Sequence, residues 1–338
     1  MATITAGVVT PVSGAYGTNP AYSGTFIPTI WSSKLNVKFY QASTFADVCN
    51  KNWEGDISNI GDKVIINNIP SIVINDYVVG GNLTYQTPTP NTIELVVDRA
   101  KYFGFNVADV LEYQAKPELM DMFSNDAAQQ MRIVLDSTCW YRTFNQGSAN
   151  NRGATAGVKS TGFNLGTEAD PIVLNSTAGD ASNVLTKILQ LAAVLDEQNV
   201  PESDRWLVID PLTRTLLMNT NLAQAQFMGD DKSMVRNGMI GQIDRFKVYV
   251  SNLLPTAAVS ATNWTSGDGS ENSVVATTDT LARRAIVAGH KSALSFVNQM
   301  VKTEQLRNPT DFGDLVRGLS VFGHKVTKPE ALALLIAA

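Results

Sequence analysis

The sequence predicts an α+β fold whose parts leave apolar surface uncovered, and three observations predict it. Residues 117–146 carry apolar side chains at spacings of three and four over a length well beyond an ordinary helix. Residues 55–99 change to the period of strands around a Gly-Gly-Asn turn. From residue 180 onward, helices and strands mix without the regular alternation of a parallel α/β domain.

In chain order, the first 25 or so residues are rich in Gly, Ser, Thr, Pro and Tyr with almost no charge, which suits an arm that is disordered or lies on a neighbour. Over 27–46, Ile27, Trp31, Leu35, Phe39, Ala42 and Ala46 recur at helical spacing, with Pro28 in the first turn, and predict a short amphipathic helix. Lys63 to Ile69, Ile72 to Val79 and Thr92 to Asp98 read as strands, with the turn at Gly80, Gly81 and Asn82, where positive φ is cheap. Pro88 and Pro90 would spoil a central ladder, so the hairpin reads as an arm completed by other surfaces; an ordinary meander is the competing reading.

The long helix begins at Pro117 and stops before Gly147, the expected punctuation at each end. Its apolar stripe is Met120, Phe123, Ala127, Met131, Val134, Thr138 and Tyr141, with Asp121, Gln129, Arg132 and Asp136 facing away. A Gly/Asn/Ser/Thr-rich loop follows, with a short strand at Ile172-Val-Leu174. Val184, Leu185, Ile188, Leu191, Ala192 and Leu195 predict a helix capped by Asp180 or Ser182. Arg205 to Ile209 is a buried strand, and Asp210-Pro211 opens a second helix as cap and first helical residue. Strands are expected at 246–254, 284–288 and 293–301, a polar surface excursion at 255–280, and long bent strands punctuated by glycine over 306–329.

Composition narrows the function. A net charge of −5 with scattered Lys and Arg lacks the concentrated basic face of a tight nucleic-acid binder. Cys49 and Cys139 fall on elements expected to lie apart, which favours free thiols over a disulfide. The opening residues lack the segments of a secretory signal, and no apolar run reaches the roughly 20 residues of a membrane span, so neither export nor insertion is expected. The sequons at Asn82, Asn175 and Asn263 then read as chance.

Catalytic constellations are missing too. With only His290 and His324, there is no zinc-site spacing; both read as structural, and neither a catalytic residue nor a cofactor or metal ligand is expected. Gly289-His-Lys-Ser292 lacks the upstream glycine of a phosphate loop and reads as a strand-end turn. The acidic pairs Asp196-Glu197 and Asp230-Asp231 read as solvated faces.

A resemblance gives these parts a purpose. The ordered set Phe26-Ile-Pro-Thr-Ile-Trp31, Asn52-Trp-Glu-Gly55, Gly61-Asp-Lys-Val64, Thr84-Tyr-Gln-Thr87, Lys101-Tyr-Phe-Gly-Phe105 and Arg205-Trp-Leu-Val-Ile209 resembles the major capsid proteins of tailed bacteriophages, particularly short-tailed ones. The closing run agrees: Gly289-His-Lys-Ser292, Val301-Lys-Thr-Glu304, Leu306-Arg-Asn-Pro309, Phe312-Gly-Asp314 and Val316-Arg-Gly318. The resemblance implies the Hong Kong 97 fold. Its parts would be an N-terminal arm (1–53), an extended loop (54–105), a peripheral domain with the spine helix (106–180), an axial domain (181–296), a return through the peripheral domain (297–318) and a final axial segment (319–338).

The same resemblance implies self-assembly as hexamers and pentamers into an icosahedral shell around double-stranded DNA, made in the host bacterial cytoplasm, with a portal at one vertex and room for a decoration protein. Residues 1–25 are too short and uncharged for a cleaved scaffolding segment, which implies a separate scaffolding protein. No lysine lies between Val64 and Asp98, so covalent cross-linking through the loop is not expected. The excursion at 255–280 is too short for the inserted domain of some relatives. Inter-subunit contact is expected at Gly80, Gly81 and Asn82, and at Glu304, Arg307, Asp311 and Asp314 around local threefold axes; solvated loop charge is the plainer reading of the latter four. An encapsulin-type compartment enclosing cargo enzymes is the alternative function, and an α+β enzyme a distant third.

Overall fold

The computed structural model describes residues 41, 43–53, 61–70, 72–77, 79–108, 119–167, 169–220, 241–257, 283–309 and 312–338, which fall within one unit, Lys38–Ala338. The expected arm, nearly all of the expected helix over 27–46, Pro117, Asp230-Asp231 and most of the 255–280 excursion lie outside the described residues. Where the 27–46 helix should be ending, residues 43 and 44 are not helical, and a separate short helix, α1 (Phe45–Val48), starts instead.

A hairpin follows, β1 (Lys63–Asn68) paired antiparallel with β2 (Asn91–Val96), Lys63 opposite Val96 and Asn68 opposite Asn91. The strand expected over Ile72–Val79 is not formed. By the β1–β2 register Pro88 and Pro90 fall between that ladder and this stretch, where proline cannot donate, so the ladder does not continue into it.

A strand that the sequence reading missed, β3 (Arg99–Ala108), continues from β2 and pairs with β10 (Gly313–Val326), which pairs on its other side with β9 (Leu294–Arg307). β10 lies in the 306–329 stretch expected as long bent strand, and β9 carries the strand expected at 293–301 on to Arg307, with the register between them shifting at Leu319 and Ser320.

Against this sheet lies the long helix α2 (Leu119–Thr143), 25 residues and about 37 Å. Its buried stripe differs from the expected one. Met131, Leu135, Asp136, Thr138, Cys139, Trp140 and Thr143 are buried, whereas Phe123 and Val134 are exposed. The C-terminal half is embraced from two sides, so its buried face is wide, while on the N-terminal half Phe123 meets the β3 side chain Phe105 edge-on at 5.9 Å.

The second layer is a six-stranded sheet in the order β11–β8–β4–β6–β5: β4 (Arg205–Ile209), β5 (Gln242–Ile243), β6 (Phe246–Val250), β8 (Arg283–His290) and β11 (Leu332–Ala337), with β7 (Thr256–Ala257) added to β8. Only β4 and β6 are parallel. The expected strand at 172–174 is a single bridge, Ile172 to Ala337.

Helices α3 (Val184–Glu197) and α4 (Pro211–Met218) accompany it. Asp210 caps α4 as expected, accepting from Leu212 and Thr213 N–H. The cap of α3 is Asn183 and not Asp180 or Ser182; Asp180 instead accepts the Ser182 N–H at 2.8 Å and shapes the preceding turn. The core is continuous from α3 through β4, β8 and β11 to the C-terminal half of α2, where Trp140 meets Trp206 at 5.8 Å and Phe45 at 5.0 Å.

Candidate assembly surfaces

The hairpin loop carries the largest uncovered apolar surface among the described residues. Ile69, Ile74, Val79 and Tyr85 are 91, 89, 88 and 89% exposed, and Ile72, Val73, Tyr77 and Leu83 are also exposed. Between Ile69 and Pro90 the sole charge is Asp76. Contiguous exposed apolar surface of this kind marks an interaction site. Gln86 ties the two arms of the loop together: its side chain accepts the Val73 N–H at 3.1 Å and donates to the Val73 carbonyl at 3.0 Å. At the tip, Gly80 has φ +84°, a left-handed turn where a side chain would be strained, and Gly81 and Asn82 are exposed beside it.

The loop's root, by contrast, is fixed. Leu95 and Val97 are buried against Val297 of β9 and Val321 of β10, with Trp53, Val64 and Ile66 around them. Gly61 donates to the Val97 carbonyl and Val97 to the Asp62 carbonyl. A Cβ at Gly323 would stand 2.5 Å from the Val96 carbonyl oxygen, so this glycine lets the hairpin backbone lie on β10.

Of the second set of expected contact residues, Asp311 lies outside the described residues. The others are drawn into cross-strand pairs within the sheet. Glu304 faces Arg317 across the β9–β10 register and accepts from it at 2.8 and 2.5 Å, with Lys302 as a third member. Arg307 faces Asp314 at 3.2 Å, and Gln305 donates to the same carboxylate at 3.0 Å. Lys302 and Arg317 hold the Glu304 carboxyl below its ordinary pKa. Beside these pairs, Tyr102, 81% exposed, and Leu319 line an open cleft of about 300 Å³.

Asp136, read as facing away, turns inward with 3% exposure. Its carboxylate accepts the Phe45 N–H at 2.6 Å, the Thr44 N–H at 3.2 Å and the Ser43 hydroxyl at 3.2 Å. It therefore caps α1, whose own Thr44 makes no side-chain cap. Burial pushes its pKa up from 3.8 to about 6, against the pull of those donors. A carboxylate mid-helix offers no sequence signal of such a remote partner. Asn50 extends the clamp to β9, donating to the Leu294 carbonyl and accepting from Phe296 N–H.

Cys49 and Cys139 are not apart, as the sequence reading expected. Both are buried and free in the same core, and the Cys139 thiol is among the causes that raise the Cys49 pKa, after burial itself. Asp196 and Glu197 also do more than face solvent: Asp196 pairs with Arg205 at 2.7 Å, and Glu197 accepts the Lys159 and Ser160 N–H groups. His290 ends β8 and accepts the Ser292 N–H, the strand-end turn that was expected. His324 is held low, at about 4, chiefly by burial and then by Arg99. Among the described residues no three His, Cys, Asp or Glu side chains converge to hold a metal ion, and no helix is long and apolar enough to cross a membrane.

A sequence model of the family described as phage capsid protein matches residues 60–335. No curated protein matches the chain. Solved structures similar to it include one from Mycobacterium phage Che8, 23% identical, TM-score 0.67, covering 93% of this chain and 98% of that one. The capsid structure of cyanophage P-SCSP1u is 19% identical with TM-score 0.66 and covers 93% of each chain. A chain of the asymmetric unit of the bacteriophage PhiM1 mature capsid is 14% identical with TM-score 0.63 and covers 91% of each.

Proposed function

The chain belongs to the phage capsid protein family, and on that premise we propose that it assembles as hexamers and pentamers into an icosahedral shell around double-stranded DNA. It is a major capsid protein of a virion, with a Hong Kong 97-like fold and a structural role. In our assignment the six-stranded layer is the axial domain and the three-stranded layer with α2 the peripheral domain. Residues 1–53 are the arm and 54–105 the extended loop. A separate scaffolding protein directs assembly, which takes place in the host cytoplasm, and a portal occupies one vertex. Subunits are held without covalent links, with a decoration protein as a further partner.

The observation that carries this reading is the loop at 69–90, apolar, nearly uncharged and uncovered, on a root that its own body grips tightly. A loop built so would gain by burial on a sister subunit, at about 25 cal/mol per Å² of apolar surface removed from water. The tip at Gly80, Gly81 and Asn82 would lie over the adjacent copy. The pairs Glu304–Arg317 and Arg307–Asp314 would meet their equivalents near local threefold axes, with Asp311 beside them.

Removing residues 78–84 tests the reading. The expected product, coexpressed with its scaffold, is a soluble folded subunit that forms no shells by electron microscopy; normal shells would defeat the assignment of the loop. Charge reversal at Arg307, which also removes its pair with Asp314 inside the subunit, should lower the melting temperature of the shell by more than that of the isolated subunit. An unaffected shell would reduce these charges to solvated surface.

A further inference from the structure

One segment of the chain has the makings of a strand and no ladder, and one sheet has an edge and no neighbour. Ile72–Val79 is built of β-branched and aromatic residues around Asn75 and Asp76. It joins no strand among the described residues, and Ile72, Val73, Ile74, Tyr77 and Val79 are all exposed. Gln86 fixes which way the segment faces. Its amide takes both the N–H and the carbonyl of Val73, and in an extended chain those groups point to opposite edges on successive residues. The N–H and carbonyl of Ile74 therefore point away from the loop's own second arm.

The three-stranded sheet runs β3–β10–β9 and so ends in two edges. The β9 edge is the less open. Asn50 bonds it at Leu294 and Phe296, and Lys302, Glu304 and Arg307 load its far end with charge, which blunts an edge. β3 differs on both counts. Among the described residues it pairs only with β10, so alternate residues over Arg99–Ala108 turn their N–H and carbonyl groups outward. Between Ala100 and Ala108 the single charge is Lys101, opposite in sign to Asp76, the single charge of the loop. The side chains are of matching character: Tyr102 is exposed on one face of β3, and Phe103 and Phe105 are half-buried on the other.

We propose that Ile72–Val79 of a sister copy adds to the β3 edge as a fourth strand, main chain to main chain. The proposal rests on the assembly reading above and says where the loop goes. In strand addition the backbone bonds supply affinity and the flanking side chains selectivity. On one face the added strand lays its side chains beside Tyr102, and on the other beside Phe103 and Phe105. The loop's second arm is unsuited to this, since Pro88 and Pro90 cannot donate.

Amide hydrogen exchange and electron microscopy of the full-length chain, as isolated subunits and as shells, test it. The β3 amides that face away from β10 should exchange at least tenfold more slowly in shells, whereas those already bonded to β10 are slow in both. Proline at two adjacent positions tests the loop side, because proline has no N–H. Ile74→Pro removes an outward donor and should cut the yield of shells tenfold or more. Asn75→Pro removes an inward donor and should leave the yield near that of the wild type. Unchanged exchange along β3 in shells that do form overturns the strand addition while the assembly reading stands, and so do equal yields from the two proline variants. A wild-type chain that forms no shells sinks the assembly reading itself, and this proposal with it.

Discussion

Asp136 and His324 titrate in opposite senses, and their difference can be measured. For Asp136 the folded pKa is raised, from 3.8 to about 6, so the folded chain holds a proton that the unfolded chain releases. Its contribution to stability is fully present below the unfolded value and is lost as pH rises through 6. His324 is depressed from 6.5 to about 4, so the folded chain stays neutral where the unfolded chain is protonated. Its contribution is fully present above 6.5 and is lost as pH falls toward 4. Each effect is on the order of 3 kcal/mol over its window. Asp136→Asn should therefore lose stability on acidification from pH 6.5 to 4, and His324→Gln should gain it, relative to a flatter wild type. Urea unfolding at stepped pH reads both, and parallel curves for the three proteins would contradict the assignment. Asp136→Ala has a different cost, about 1–3 kcal/mol at neutral pH, because the Thr44 and Phe45 N–H groups lose their acceptor.

Among the elements, the hairpin root makes the sharpest prediction. Valine at position 323 would place its Cβ 2.5 Å from the Val96 carbonyl oxygen and 3.1 Å from Val97 Cα, both backbone atoms that cannot swing away. Gly323→Val should cost about 1–3 kcal/mol and raise hydrogen exchange at Val97, whose N–H bonds the Asp62 carbonyl. Unchanged protection there would show that the root tolerates displacement. The same contact shows what the sequence could and could not disclose. Local signals were legible: Asp210-Pro211 opened α4, Gly80 made its turn, and 3.6 periodicity found α2 to within two residues of Leu119 and three of Thr143. Signals that depend on a distant partner were not. Ile72–Val79 has strand composition but no ladder to join, and β3 has the right alternation but was hidden by its glycine and its charges. Asp136 looked solvated because its partners lie more than ninety residues away. In the candidate contact set, Glu304, Arg307 and Asp314 were legible as charges, whereas the Arg317 that completes Glu304 emerged only from the strand register.

Seen as a whole, the molecule divides its apolar surface unequally. Around the six-stranded sheet, Leu207, Val208, Ile286, Val287 and Leu335 are fully covered by the chain's own body. Beyond Asn68 the chain carries a string of large apolar side chains with nothing from its own body over them. If sister copies supply the cover, the loop's accessibility must depend on assembly while the body's does not. Limited digestion with chymotrypsin distinguishes the two, since Tyr77, Leu83 and Tyr85 are exposed sites on backbone outside any strand. Isolated subunits should be cut within 77–85 and leave a body that resists further cleavage. Assembled shells should be protected there by tenfold or more in rate, as expected when about 1.4 kcal/mol or more opposes exposure of the site. Equal cleavage of subunit and shell would mean that the loop stays bare after assembly, and its apolar surface would then need another partner.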